Sequence, residues 1–600
     1  MKPGMKSGSI KSSSKSSSSK QSRSVAILSA WFLASAALIS IGLSGQGIIG
    51  TQTLTAAQAR TAPAVTTDPV LKAMSDELDR SITQLKLNDL DKPYFIQYVV
   101  YDDEDYTASA TFGALSRSSQ THQRLVHAQV RVGSYDFDNT GFTGARGGGA
   151  ATGVLAQASV DDNYDALRHS LWLATDSAYK SAVETIAQKR AYTQNRTTQD
   201  DPVPDFSREK ATIATSAKMK MQLDRVKIEG QLREWSKIFR DFPSVQTSSI
   251  SYHARLNHRY IVNSEGSRTL EPQLLIALQA NASTQAADGM TINLSLPFSA
   301  RAFEDMPSTQ EVSNAIRQLA KDVTTLRTAP ALDANYSGPA LLVGQAATEM
   351  FARVLAPNLT EERGPIGGRG AQSTGSALLD RMKRPVLPAN ISVYDDPTQT
   401  KAGDKPLIGF YKIDDQGIPA QRISLVEDGL LTNLLTSRRP SKDRLQSNGH
   451  GRGIPGRETA QISNFVVKAD KDAKSYDELK QDLIKLAKEE RLDYGIIIKQ
   501  LSGNQGSIGT PVMTYKLYVA DGREELVRGA TAGALTVQSL RHIQAVGNDS
   551  YVSNRLVGTQ GAETGTTVIA PSVILEELGL DRPSGTQQKP ATLTNPYFSN

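Results

Sequence analysis

Helix-like and strand-like stretches alternate through the first 330 residues, and that alternation sets what the chain can fold into. Asp68–Leu87 places Leu71, Met74, Leu78, Ile82 and Leu85 at spacings of three and four behind Asp68, a candidate N-cap. Tyr94–Tyr101, Tyr106–Leu115 and Arg124–Val132 alternate or run apolar and read as strands. Gly-rich Tyr135–Val154 reads as a mobile loop. Asp162–Tyr192, Val226–Phe239 and Thr309–Leu326 read as helices, and Ser248–Val262, Gln273–Gln279 and Met290–Phe298 as strands. The expected unit, residues 60–330, is an α+β domain with long helices against an antiparallel-rich sheet.

The second half changes character. Short strand signals recur at Ile391–Tyr394, Arg422–Val426, Leu430–Leu435, Ile462–Val467, Gly495–Lys499, Val512–Val519 and Glu525–Arg528. One helix, Tyr476–Glu490, interrupts them. Residues 331–580 are therefore expected to form a β-rich, barrel-like domain. Thr559–Thr566 reads as loose, and residues 581–600 as a flexible tail.

The formal charge of +5 is misleading. Lys2, Lys6, Lys11, Lys15, Lys20 and Arg23 put +6 into residues 1–23, which hold no acid, and residues 24–59 carry no charge. The remainder is 5 − 6 = −1, so nothing suggests a nucleic-acid footprint, which needs a surplus of Lys and Arg. Val25–Leu43 is apolar, and Ala57-Gln58-Ala59 follows as a small-residue cleavage pattern. Residues 1–59 read as a signal peptide, or, if uncleaved, as an N-terminal anchor and the chain's sole membrane contact. Either way the folded part is expected to be exported, periplasmic or in the cell envelope. The chain has no cysteine, which removes disulfides, thiolate ligands and cysteine nucleophiles.

The seven histidines are His122, His127, His169, His253, His258, His450 and His542, and none falls in His-x-x-x-His or His-Glu-x-x-His spacing. His122 with His127 and His253 with His258 are five apart in strand sequence, an odd offset that sends each pair to opposite faces. No Gly-x-Ser-x-Gly elbow is followed by a triad, and no glycine run ends in the Lys-Ser/Thr of a phosphate loop. Ser447–Gly453, SNGHGRG, could bring backbone close to a ligand, with Asn448, His450 and Arg452 as candidate substrate-binding residues. The bland reading is a flexible surface turn. Glu349 reads as a solvated helix-surface carboxylate.

Asp414–Pro419, Leu425–Leu431, Ile462–Asn464 and Leu526–Ala530, in that order, with Tyr260–Arg268 (YIVNSEGSR) earlier, resemble the TldD/PmbA family, whose members have been named metalloproteases and modulators of DNA gyrase. Leu425–Leu431 is also a hairpin signal around Asp428-Gly429. The resemblance spans roughly residues 68–580. In catalytic members a helix after a Gly-Pro entry carries His-Glu-x-x-x-His; here that entry is Gly338-Pro339. The matching positions hold Ala352, Arg353 and Pro357, so both histidines and the glutamate are missing. Residues five apart on an ideal helix lie ~140° round from each other. A His-x-x-x-x-His ligand pair therefore needs the helix to end or bulge, and Pro357 stands at that point.

The resemblance implies a homodimer, or a heterodimer with a zinc-bearing relative, acting on short or unfolded peptides held as an added strand. Zinc belongs to the catalytic members, and this chain is expected to bind no cofactor. It is expected to be a zinc-less subunit shaping a peptide cleft. The alternatives are a metallopeptidase with non-standard ligands, such as His450 with carboxylates of the helix region, or a non-catalytic peptide-binding envelope protein.

Overall fold

The computed structural model describes residues 68–87, 90–143, 153–194, 203–361, 363–367, 376–503, 507–558, 563–583, 593 and 595–598. The leader expected at residues 1–59, and most of the tail at 581–600, lie outside them. From Val65 onward the chain forms one compact unit.

Its N-terminal part is a seven-stranded sheet. The strands run in the order Val154–Ala158, Ala114–Val132, Pro93–Thr111, Thr247–Asn263, Arg268–Gln285, with Thr291–Ala300 and the short, parallel Ile213–Thr215 both on the last. Apart from that short strand the sheet is antiparallel. Pro93–Thr111 and Ala114–Val132 are 19 residues each and join through Phe112-Gly113, both at positive φ. Two left-handed residues match the twist of a two-residue hairpin.

The sequence reading breaks the first of these strands at Asp102–Asp105, where acids interrupt the apolar pattern. The strand instead continues, because its neighbours supply arginine, histidine and asparagine partners. Asp102 accepts from Arg124 Nη2 and pairs with His122 Nε2, both at 2.8 Å. Asp103 takes a two-pronged contact from Arg255 at 2.8 and 3.0 Å and a bond from Asn257 Nδ2 at 2.6 Å. Asp105 pairs with His253 at 2.8 Å. Each histidine five residues on is buried, His127 and His258, as the odd offset requires.

Two pairs of helices cover this sheet. The helix α1, Pro69–Gln84, is capped by Asp68, whose Oδ1 accepts from the amides of Val70 and Leu71. With α2, Tyr164–Gln194, it buries Leu71, Met74, Leu78, Leu167, Leu171 and Ile186 against Tyr98, Val100 and Val130. The helices α3, Arg225–Lys237, and α4, Thr309–Thr328, bury Leu232, Trp235, Val312, Ile316 and Val323 against Ile250, Leu256 and Ile276. Ser308 and Glu311 close a capping box on α4. The α+β expectation is met.

The C-terminal part is two open sheets rather than a closed barrel. One has six strands, Leu430–Leu431, Ile423–Glu427, Ile391–Asp395, Asn464–Ala469, Thr564–Ala570 and Tyr551–Val557. The other runs Glu524–Val527, Thr510–Tyr518, Tyr494–Ser502, Tyr336–Leu342, Val573–Asp581, the last also pairing with Thr531–Ala532 and Ile543–Val546. The largest core joins the two sheets, Val393, Phe465 and Val568 with Leu342, Ile498 and Leu575. A short helix, α5, Gln345–Met350, packs into that core through Ala346, Ala347 and Met350. The helix α6, Tyr476–Glu489, covers the other face of the second sheet with Leu479 and Leu483. Asp428 and Gly429 form the expected hairpin turn, both at positive φ, but only Leu430–Leu431 of the Leu430–Leu435 run is strand. Thr564–Thr566, read as loose, opens a buried strand; residues 559–562 lie outside the described set.

Asp103→Ala strands Arg255 and Asn257 in the sheet, and is expected to cost about 3–5 kcal/mol in urea unfolding. Removing the guanidinium as well, in Asp103→Ala with Arg255→Leu, should recover most of that loss. A double variant as unstable as the single one would show that the pair does not carry the strand.

Candidate functional site

The strand Tyr336–Leu342 feeds α5 through Gly344, whose φ of 56° makes the sharp entry. After Met350 the helix widens. Phe351–Leu355 is a π turn, closed by the Ala356 amide donating to the Phe351 carbonyl, and Ala356–Leu359 tightens to a 3-10 turn containing Pro357. An i→i+5 turn brings residues five apart toward a common face. The bulge expected from the ligand spacing is therefore present between Ala352 and Pro357, and the side chains at those positions have no metal-binding atom.

The third position is reversed in charge. Arg353 Nε donates to Glu349 Oε1 at 2.5 Å, and its Nη2 donates to the Gly503 carbonyl at 2.7 Å. Glu349 also accepts from Arg555 Nη2 at 3.2 Å. Glu349 is 7% exposed, not the solvated surface carboxylate expected, because two guanidinium groups compensate its desolvation. Burial pulls the Arg555 guanidinium below its ordinary value. A methyl, a proline ring and a cation do not fit zinc, which takes Cys, His or carboxylate donors. Among the described residues, no group of three or more His, Cys, Asp or Glu could hold a metal.

Arg555 belongs to Tyr551–Val557, the outermost strand of the six-stranded sheet. One side pairs with Thr564–Ala570 in an unbroken register; among the described residues no strand pairs with the other. A Cβ added at Gly344 would lie 3.5 Å from the Tyr551 ring, so this edge runs alongside the α5 helix. Nothing in the sequence reading marked it, since Ser553, Asn554 and Arg555 stand in a row and break any alternation.

His450 and Arg452 lie in the interior, with Asn448 half-buried beside them. His450 is fully buried, with Nε2 3.1 Å from Asp395 Oδ1 and Nδ1 3.0 Å from the Asn448 carbonyl. Asn448 accepts from the Thr436 amide and donates to the Leu434 carbonyl, both at 2.9 Å. Arg452 donates to the Gly565 carbonyl at 3.0 Å and stands 4.6 Å over the Tyr411 ring. All three are engaged with protein partners. The run is also no flexible surface turn, because Gly451–Arg452 pairs with Thr459–Ala460 as a short ladder. Asp414 fixes it from below, Oδ2 accepting from the Gly451 amide and Oδ1 from the amides of Gln416 and Ile418. His450 meets Asp395 while Glu349 meets two arginines, so the non-standard ligand set of His450 with helix carboxylates is not assembled here.

A sandwich of helices on a long antiparallel sheet, joined to two open sheets around a short π-bulged helix, defines the class. Residues 337–581 match the family described as the PmbA/TldA metallopeptidase C-terminal domain. A metalloprotease of Methanothermobacter thermautotrophicus is 25% identical over 195 residues, which are 31% of this chain and 39% of that relative. The chain thus spans about two fifths of its length. TldE from Thermococcus kodakarensis has the same fold, with a TM-score of 0.54 at 13% identity over 85% of this chain and 100% of that one. A Thermotoga maritima protein described as a candidate modulator of DNA gyrase gives a TM-score of 0.53 at 17% identity, covering 84% of this chain and 99% of that one. Residues 337–581 are thus a C-terminal domain of the PmbA/TldA metallopeptidase type, and the chain shares its fold with TldE.

Glu349→Ala is expected to lose about 1–3 kcal/mol, the value of charge-assisted bonds to two arginines. Asp414→Asn should cost about 1–3 kcal/mol, because an amide placed at Oδ2 would face the Gly451 N–H donor to donor. Denaturant midpoints at constant m read both, and unchanged midpoints would remove these groups from the account of the site.

Proposed function

We propose that this chain is an exported, zinc-less TldD/PmbA-family subunit that presents a peptide-binding edge within a dimeric protease. The observation that carries the reading is the π turn Phe351–Leu355, which lies across the Ala352 and Pro357 positions. It keeps a bulge suited to ligands five apart, while Ala352, Arg353 and Pro357 supply none. A cluster of buried Glu349 with half-buried Arg353 and Arg555 stands beside it, and cations repel a second cation. The free edge of Tyr551–Val557 runs past the same helix and suits an extended peptide bound by strand addition. The basic, then apolar, residues 1–59 support export. Catalysis comes from a zinc-bearing partner chain in a heterodimer; as a homodimer the protein binds peptides without cleaving them.

Elemental analysis of the purified chain should give zinc well below one atom per chain, and peptide cleavage should appear only on adding a family member that carries the zinc motif. One zinc per chain with cleavage by the chain alone would overturn the reading. A saturating extended peptide should slow hydrogen exchange at Tyr551–Val557. Slowing elsewhere but not there would place the peptide off this edge.

A further inference from the structure

A cavity of about 300 Å³ lies away from the α5 helix, at the seam between the N-terminal sheet and the C-terminal turns. Arg131 and Thr140–Thr143 line it from one side, and Gln416, Arg438, Arg439 and Gly456–Thr459 from the other. Four arginines in so small a space need an explanation, and the first is structural. Arg131 Nη1 donates to Asp138 at 2.7 Å and to Thr140 Oγ1 at 3.0 Å. Arg438 Nη2 donates to the Ser207 carbonyl at 2.6 Å and to Glu265 at 2.8 Å.

Those bonds do not use up the guanidinium groups. Arg131 is 6% exposed and Arg438 1% exposed, yet Arg131 Nε and Arg438 Nε and Nη1 are buried with no hydrogen-bond partner among the described residues. Buried donors are nearly always satisfied, by protein or by ordered water, so these call for a partner beyond the described side chains. Both groups are also held rigid. The ring of Phe206 lies between them, 3.5 Å from the Arg131 guanidinium carbon and 3.9 Å from that of Arg438. Fixed planar forks with spare N–H groups match an oxyanion, and pre-organisation lowers the entropy cost of binding. Asp205, which also lines the cavity, is already engaged by Lys189 Nζ at 2.5 Å and by Arg363.

Glu458 is half-buried in the same wall, accepting from the Gly456 amide at 3.0 Å. Desolvation pushes its carboxyl up to about 7, against the pull of Arg131 and with the push of Asp414. Arg438, Arg439, Arg457 and Asp205 share that wall with it. Protonated, Glu458 donates to an incoming carboxylate; ionised, it repels one.

We propose that this cavity binds a small carboxylate through Arg131 and Arg438. Two sources share that chemistry, a free organic acid and the C-terminal carboxylate of a short peptide. The site stands apart from the proposed protease role, because it is read by binding and not by cleavage.

The test is calorimetry on the full chain with succinate, N-acetyl-dialanine, its C-terminal amide and inorganic phosphate. Succinate or the free-acid peptide should bind, and the amide should be at least tenfold weaker than its acid. Binding by the peptide but not succinate identifies a chain terminus, and the reverse a free acid; either supports the site. Affinity should fall between pH 6 and pH 8, as Glu458 ionises. Arg438→Met should abolish binding, and Arg457→Gln, at an exposed position on the rim, should weaken it severalfold if the buried variant does not fold. Phosphate binding as tight as the carboxylates, no binding by either carboxylate at millimolar concentration, or affinity unmoved by a folded variant would each overturn the proposal.

Discussion

Arg259 ties the two halves of the molecule together. It lies on the central strand Thr247–Asn263 and is 4% exposed. Its Nη2 donates to Glu271 Oε2 at 2.9 Å on the neighbouring strand and to the Ile413 carbonyl at 2.6 Å, and its Nη1 pairs with Asp415. The acids extend the link: Glu271 Oε1 accepts from the Lys412 amide at 2.8 Å, and Asp415 Oδ2 from the Gly453 amide at 2.8 Å. A buried charge is tolerated only if every lone pair and proton near it is used, and here nearly all of them are. The geometry of the Asp414–Ile418 turn and of the 448–453 run follows from this anchor. So does the seam cavity, whose walls belong to different halves of the chain.

Much of the α+β frame was legible because helices show as period 3.6 and half-buried strands as period 2. The helices α1, α2, α4 and α6 were found within a few residues, since each carries an apolar stripe behind a polar cap. The unbroken strand Pro93–Thr111 was missed because Asp102, Asp103 and Asp105 look like a break until Arg124, Arg255 and His253 are seen opposite them. That compensation is long-range, 22, 152 and 148 residues away, and no local window contains it. The edge strand Tyr551–Val557 escaped for the converse reason: an edge beside solvent tolerates polar residues, so its pattern carries little signal.

The site was legible in one respect and opaque in another. The spacing of Ala352 and Pro357 required a helix that ends or bulges, and a π turn stands there. Asn448, His450 and Arg452 were chosen because glycines around a histidine and an arginine suggest a ligand loop. The same glycines serve close packing instead: a Cβ at Gly449 would collide with the Pro419 carbonyl oxygen. Composition cannot separate a backbone that must approach a ligand from one that must approach another backbone.

The Glu349–Arg353–Arg555 cluster bears on how a bulged helix turn is held by side chains that are not metal ligands. In a metal site, ligand bonds hold a strained turn in place. Without them a π turn costs energy and should relax to an α-helix unless something else holds it. Three side chains do that here. Arg353 grips Glu349 one turn back and the Gly503 carbonyl across the sheet, Asn358 Nδ2 donates to the Val354 carbonyl at 2.9 Å, and Pro357 denies the helix the amide it would need to continue. The bulge is thus supported by side chains that could not have coexisted with a metal at those positions. The same contacts hold Arg555 and its edge strand beside the helix.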